Sequence, residues 1–259
     1  MNLSSSGPKL QTPNKQGALS SARQRISTKS YRYIGDVVYG GLDGIVTTFA
    51  IVSGVAGAQL GAHIVLILGM ANLLADGFSM ATGRYLASKS EREYYEHERR
   101  QAHRQIEQAP EQKRQELYEI YLSQGYSAGD AAQMVAIQTA NPWRWIKALI
   151  TEDRQISEDS RHPLLGAIFT FAAFVLIGGV PLLSYVLGLI IPIQPTLAFS
   201  ISVALSALAL FGLGAAKVLI TRLNFLISGL EMLVIGGLAG IVAYLVGALL
   251  HGLNPAGPG

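Results

Sequence analysis

Two carboxylates, an amide and a thioether interrupt stretches of chain that are otherwise apolar. Asp43 lies in the first long hydrophobic stretch, and Asn72, Asp76 and Met80 recur at intervals of four in the next. Residues four apart on a helix share a face, so this second set forms a stripe of oxygen and sulfur donors. Asp36, Gly40, Asp43 and Thr47 step by four, three and four and make a matching stripe on the first helix. An ionised carboxylate at the centre of a bilayer costs roughly 2.5–3.5 kcal/mol on insertion scales. The donor types suggest what it is kept for. Carboxylate and amide oxygens suit Mn²⁺ and Fe²⁺, and a thioether shifts preference from Mg²⁺ and Ca²⁺ towards softer ions. Packing alone also explains a methionine on a membrane helix, and an isolated aspartate can simply bond a neighbouring helix.

Depth separates these readings. The turn between the two helices, AGAQLGA, centres near residue 60. Asp43 stands 17 residues before that point, and Asp76 and Met80 stand 16 and 20 after it. At about 1.5 Å per residue, the three fall within roughly 6 Å of one level. Gly40, Gly41, Gly44, Gly69 and Gly77 would let the helices close up there. Two matched stripes therefore favour a divalent-metal path over packing. Glu231, further along, is either another carboxylate of that path or the ion-pair partner of Lys217 or Arg222, and the pairing is preferred.

The elements that must hold these residues are spans and a polar insert. Half of the 259 residues are hydrophobic and 14% are charged, with the charges excluded from long runs. Apolar runs approaching 20 residues indicate membrane-spanning helices, expected at Tyr33–Ala58, Ala62–Leu86, Leu164–Ile191, Thr196–Ile220 and Leu223–Leu250. Gly178, Gly179 and Pro181 predict a kink in the third. The block between the second and third holds 13 acids and 11 Lys/Arg and reads as four helices, with Pro110, Gly125 and Pro142 as breaks. The first 32 residues hold six Lys/Arg and no acid. That tail is polar and lacks the apolar core of a signal peptide, and a basic tail beside a membrane is the plainer reading than a nucleic-acid arm. The positive-inside rule then places the tail and the loop near Lys217 and Arg222 in the cytoplasm.

The expected fold is all-α, a polytopic membrane protein with five transmembrane helices and a helical cytoplasmic domain inserted between the second and third. Its parts are a disordered basic tail (1–30), transmembrane helices 1–2 (31–86), the cytoplasmic domain (87–162), transmembrane helices 3–5 (163–252) and a C-terminal tail (253–259). With no cysteine, disulfides and thiolate metal sites are excluded. No Ser/His/Asp arrangement, phosphate-cradling loop or nucleotide motif argues for an enzyme, and no cofactor or nucleic-acid partner is expected.

Three segments carry a resemblance to a known family. DGIVTTFAIVSGVAGA at 43–58, GMANLLADGFSMATGRYLASKSEREYYEHE at 69–98 and GLEMLVIGGLAGIVAYLVG at 229–247 resemble the vacuolar iron transporter family, in the same order and over nearly the whole chain after residue 30. The resemblance implies five spans, a helical cytoplasmic domain, a homodimer, and exchange of Fe²⁺ or Mn²⁺ for protons out of the cytosol. It places the family's pathway aspartate on Asp43 and its pathway methionine on Met80. A glutamate of plant members falls on Asn72, and Asp76 one turn on is the residue that could supply its charge. The metal-binding positions of the plant cytoplasmic domain fall on Ala102, Gln105, Lys113, Glu116, Leu149, Ile150 and Asp153. Only Glu116 and Asp153 keep a carboxylate, so weak or absent metal binding is expected there. The expected metal set is Asp43, Met80, Asp76, Asn72, Glu116 and Asp153, with divalent metal and the lipid bilayer as partners. A bacterial plasma membrane is the expected location, or a vacuolar membrane in a eukaryote. The rival reading is a non-transporting membrane scaffold whose cytoplasmic domain is an interaction module.

Overall fold

The computed structural model describes residues 15–154, 162–221 and 224–253, with side chains from residue 33 onward except those of 219–221. All regular structure among these residues is helical. The chain divides into two units, one of Met1–Met80 with Ile168–Gly259 and one of Ala81–Ala167.

In the first unit, α1 (Lys15–Gly57), the start of α2 (Ala62–Gln108), most of α6 (Pro163–Gly178), α7 (Leu183–Leu187), α8 (Pro195–Thr221) and α9 (Phe225–Leu253) pack together. Five segments are long and apolar enough to cross a bilayer: Tyr33–Gly57, the start of Ala62–Gln108, Pro163–Leu187, Pro195–Val218 and Phe225–Leu253. These fall on the five spans expected from the apolar runs, although residue 223, the expected start of the fifth, lies outside the described residues. The third is kinked as Pro181 requires: α6 ends at Gly178, a 3-10 turn covers Val180–Leu182, and α7 follows. The Ser202 hydroxyl of α8 donates to the Pro181 carbonyl at 2.6 Å, so the break leaves that buried acceptor satisfied. Val52, Val55, Leu73, Phe174 and Leu182 form the centre of the core. Large side chains such as Phe78, Leu176, Leu208 and Leu249 stand exposed along the same helices. Apolar surface on this scale belongs against lipid, not water.

Helix α1 begins at Lys15, inside the stretch expected to be a disordered tail, while residues 1–14 and 254–259 lie outside the described residues. The sequence after Gly17 contains no proline or further glycine until Gly35, so nothing stops a helix nucleated by the first span from propagating backwards.

The second unit joins the rest of α2 to α3 (Pro110–Ser123), α4 (Ala128–Thr139), α5 (Pro142–Ala148) and a π-helical turn, Leu149–Asp153. Its bounds, Ala81–Ala167, lie five to six residues outside the expected 87–162. Gly125, at φ +94°, lets the chain turn after α3. Asn141 caps α5, its Oδ1 accepting from Trp143 and Arg144 backbone N–H groups at 2.9 and 3.4 Å, with Pro142 in the first turn. Leu117, Tyr121, Ala131, Trp145 and Leu149 form one cluster, Tyr95, Ala102, Ile146 and Ile150 a second, and Ile106 packs on both. Burial first, and then the nearby Glu152 carboxylate, pushes the Tyr121 phenol above its ordinary range and keeps it neutral.

Candidate metal site

Close helix packing sets the position of Asp43. At the next residue, Gly44, a Cβ would come within 2.6 Å of the Phe174 carbonyl oxygen, and one on Gly178 would come within 2.7 Å of the Gly44 carbonyl carbon. Helices α1 and α6 thus meet backbone to backbone, which only glycine allows. One turn earlier, Gly40 makes the same approach to Thr170. Gly40 is therefore a packing position, not part of a polar path. Asp43, next around the helix, is left half-buried. The Thr47 hydroxyl donates to the backbone carbonyls of Asp43 and Gly44 at 2.8 and 3.3 Å, so its proton is committed to its own helix. Asp36 is buried at the other end of the stripe.

On α2, Gly69, Leu73 and Gly77 form the face pressed into the unit, against Leu182, Phe171 and Phe174. Asn72 and Asp76 each precede one of those residues and so flank the buried face. The carboxylates of Asp43 and Asp76 lie within electrostatic range of one another. Two different helices therefore bring carboxylates near one another. Asp76 itself is exposed. Asn72 is half-buried, and its amide nitrogen is buried with no hydrogen-bond partner. Such orphaned groups are rare in native structures and ask for an explanation. Amide oxygen and nitrogen are interchangeable assignments, so the same side chain, flipped, offers an oxygen. Met80 is half-buried and packs against the cluster of Val52, Leu73 and Phe174. Its thioether is shared between packing and whatever the stripe does.

The other candidates stand elsewhere. Glu231 is exposed and lies 3.6 Å from the Lys217 ammonium, the ion-pair alternative favoured above. In the second unit, Glu116 is occupied by Lys113, 2.5 Å away. Asp153 sits on the π-helical turn, 3.8 Å from the Arg154 guanidinium. Among the described residues no three His, Asp or Glu side chains gather as a metal cluster.

The positions that the resemblance assigns to metal binding in plant members do packing and pairing work in this unit. Ala102 and Ile150 are core of one cluster and Leu149 of the other. Gln105 accepts a hydrogen bond from Arg154 at 3.0 Å. Arg154 also pairs with Glu98 in a mostly buried contact, the two side chains 19% and 11% exposed. This network was not legible in the sequence, because its partners come from α2 and from the far end of the unit with no local spacing to announce them. Glu98→Ala leaves the guanidinium short of its partner and is expected to destabilise the unit by about 2–3 kcal/mol. Glu96→Ala, which removes an exposed pair with Arg92, is expected to cost under about 1 kcal/mol. Thermal unfolding of the full chain followed by near-ultraviolet circular dichroism compares the two.

Comparison with known proteins agrees with this architecture. A model of the VIT family matches residues 34–248, from the start of the first span almost to the end of the last. A vacuolar iron transporter of Toxoplasma gondii is 35% identical over 235 residues, covering 88% of this chain and 78% of that protein. Vacuolar iron transporter 1 of Arabidopsis thaliana is 32% identical over 233 residues, covering 90% and 91%. A vacuolar iron transporter of Plasmodium falciparum is 30% identical over 220 residues, covering 83% and 81%. The chain is an all-helical integral membrane protein and belongs to the VIT family.

Proposed function

We propose that this protein transports a divalent transition metal, Fe²⁺ or Mn²⁺, out of the cytosol in exchange for protons, working as a homodimer with its second unit and N-terminus in the cytoplasm. Relatives named as vacuolar iron transporters support metal as the cargo. One observation carries the reading: Asp43 and Asp76, on two different spans, stand within electrostatic range of each other. Two carboxylates confined at one level repel, and either a divalent cation between them or a proton on one of them relieves the repulsion. Metal and proton therefore compete for one place, which is what exchange requires. Asn72 and Met80 extend the donor set on the α2 side, and the oxygen-rich mixture suits Fe²⁺ and Mn²⁺.

The exposure of Asp76 supports the dimer. A carboxylate facing hydrocarbon is costly, and a second copy laid against α2 covers it and encloses the path between protomers. Glu116 and Asp153, engaged with Lys113 and Arg154, carry no part of the transport step. In a bacterium the host membrane is the plasma membrane, and in a eukaryote the vacuolar one.

The test is metal flux into proteoliposomes with and without a pH gradient. Uptake of Mn²⁺ or Fe²⁺ that rises when the lumen is acidic, with protons leaving as metal enters, is the expected result. Flux of neither metal under either condition would instead favour a membrane scaffold, a reading supported by apolar Ala102, Leu149 and Ile150 at positions that the resemblance assigns to metal binding in plant members. Competition among Fe²⁺, Mn²⁺, Co²⁺ and Zn²⁺ ranks the cargo.

A further inference from the structure

The second unit carries a basic pocket that metal transport leaves unused. Arg99, Arg100, His103 and Arg104 of α2 line it opposite Trp143 and Ile146 of α5, around a cavity of about 410 Å³. The Arg99 guanidinium lies 5.5 Å from the centre of the Trp143 ring. That ring is 67% exposed. His103 faces Glu107 at 3.6 Å. Among the described residues, Arg99, Arg100 and Arg104 have no carboxylate partner.

A surface that needed only to be wet would not look like this. Earlier on the same helix, Lys89 meets Glu93 and Arg92 meets Glu96, each one turn apart. At Arg100 and Arg104 the same spacing holds two like charges, an arrangement that destabilises a helix. An exposed tryptophan beside uncompensated guanidinium groups supplies the rest of a binding site: a flat apolar face next to concentrated positive charge. Guanidinium forks match the oxygens of a phosphate two at a time. The cavity volume also lies within the range of about 300–1,000 Å³ usual for small-molecule sites.

We infer that this pocket binds an organic phosphate, with Arg100 and Arg104 on the phosphate oxygens and the apolar or aromatic body of the ligand against Trp143. A soluble nucleotide and the headgroup region of an anionic phospholipid both have this chemistry, and the experiment separates them. The chain contains two tryptophans, and Trp145 is buried beneath Arg114. Trp145→Phe therefore makes Trp143 the sole tryptophan, excited selectively near the red edge of the protein absorption band. The full-length W145F protein is titrated with ATP in detergent, then placed in nanodiscs of phosphatidylcholine with or without phosphatidylglycerol.

The expected result is a saturable change in Trp143 emission, half-complete below about 1 mM for ATP, or an emission shift that appears only when phosphatidylglycerol is present. The first outcome assigns a soluble phosphate and the second a lipid. In either case Arg100→Gln with Arg104→Gln weakens the response at least about tenfold, with the unfolding midpoint unchanged or slightly raised, because both side chains are exposed and their mutual repulsion is removed. No saturable response to either probe, or the same response in the doubly substituted protein, overturns the assignment. Equilibrium dialysis of the wild-type chain with radiolabelled ATP, and native mass spectrometry of phosphatidylglycerol retained by it, read the same binding if W145F fails to fold.

Discussion

Asp43→Ala is expected to reduce Mn²⁺ or Fe²⁺ flux in proteoliposomes by at least about a hundredfold at unchanged expression and reconstitution. Loss of a group that merely orients a metal ligand costs about ten- to a hundredfold, and Asp43 is proposed as a ligand itself. The substitution should not harm the fold, because Asp43 is only half-buried and is not part of the apolar cluster at the centre of the first unit. Alanine is apolar and the best helix former, so the span should be at least as stable as before. Loss of flux with stability kept is the signature of a site; loss of both would indicate only damage. Asp43→Glu, which keeps the charge and moves it by one methylene, should retain measurable transport. Asp43→Asn keeps the shape without the charge and should be nearly as inactive as alanine. An Asp43→Ala protein that transports at the wild-type rate would remove Asp43 from the path.

How much of this was legible beforehand depended on whether the relevant force acts along the chain or across it. The spans were legible because a bilayer imposes a length and an apolarity that the sequence must display locally. The approach of Asp43 to Asp76 could be expected by counting from the intervening turn, since an antiparallel helix pair converts sequence distance directly into depth. The Glu231–Lys217 pair could be expected as well, both residues lying near the short connection between the last two spans. What stayed hidden were choices made by distant partners. The glycines near residue 44 announced a close approach but not its partner, which proved to be α6 at Gly178. Met80 reads as a donor in the stripe, yet it leans on a core to which α1 and α6 contribute as well as its own helix. The fourth helix of the insert, expected after the break at Pro142, carries no glycine or proline through WRWIKALITED to end it early. Yet α5 gives way at Leu149 to a π-helical turn, which brings Leu149 and Ile150 to the two apolar clusters.

The crossing of α1 and α6 gives the second large effect. A methyl group added at Gly44 would sit 2.6 Å from the Phe174 carbonyl oxygen and 3.1 Å from the Gly178 Cα. Backbone cannot swing aside as the end of a side chain can, so the helices must separate by several tenths of an ångström. Overpacking of this kind costs typically about 1–3 kcal/mol. For a chain of this size that corresponds to a fall in unfolding midpoint of roughly 2–12 °C. Gly35 lies on the same helix with nothing within 4 Å of its missing Cβ. There, alanine should leave the midpoint unchanged or raise it slightly, because alanine is the better helix former by about 0.5–1 kcal/mol. The two substitutions add the same atom to the same helix, so a difference between them isolates the crossing from helix propensity. Gly44 is also the neighbour of Asp43, and separating α1 from α6 moves that carboxylate relative to α2. Flux in Gly44→Ala should therefore fall even below the temperature at which the protein unfolds, whereas Gly35→Ala should transport normally. If Gly44→Ala lowered the midpoint and left transport intact at low temperature, the close approach would serve stability alone, and the level of Asp43 would be set by some other contact.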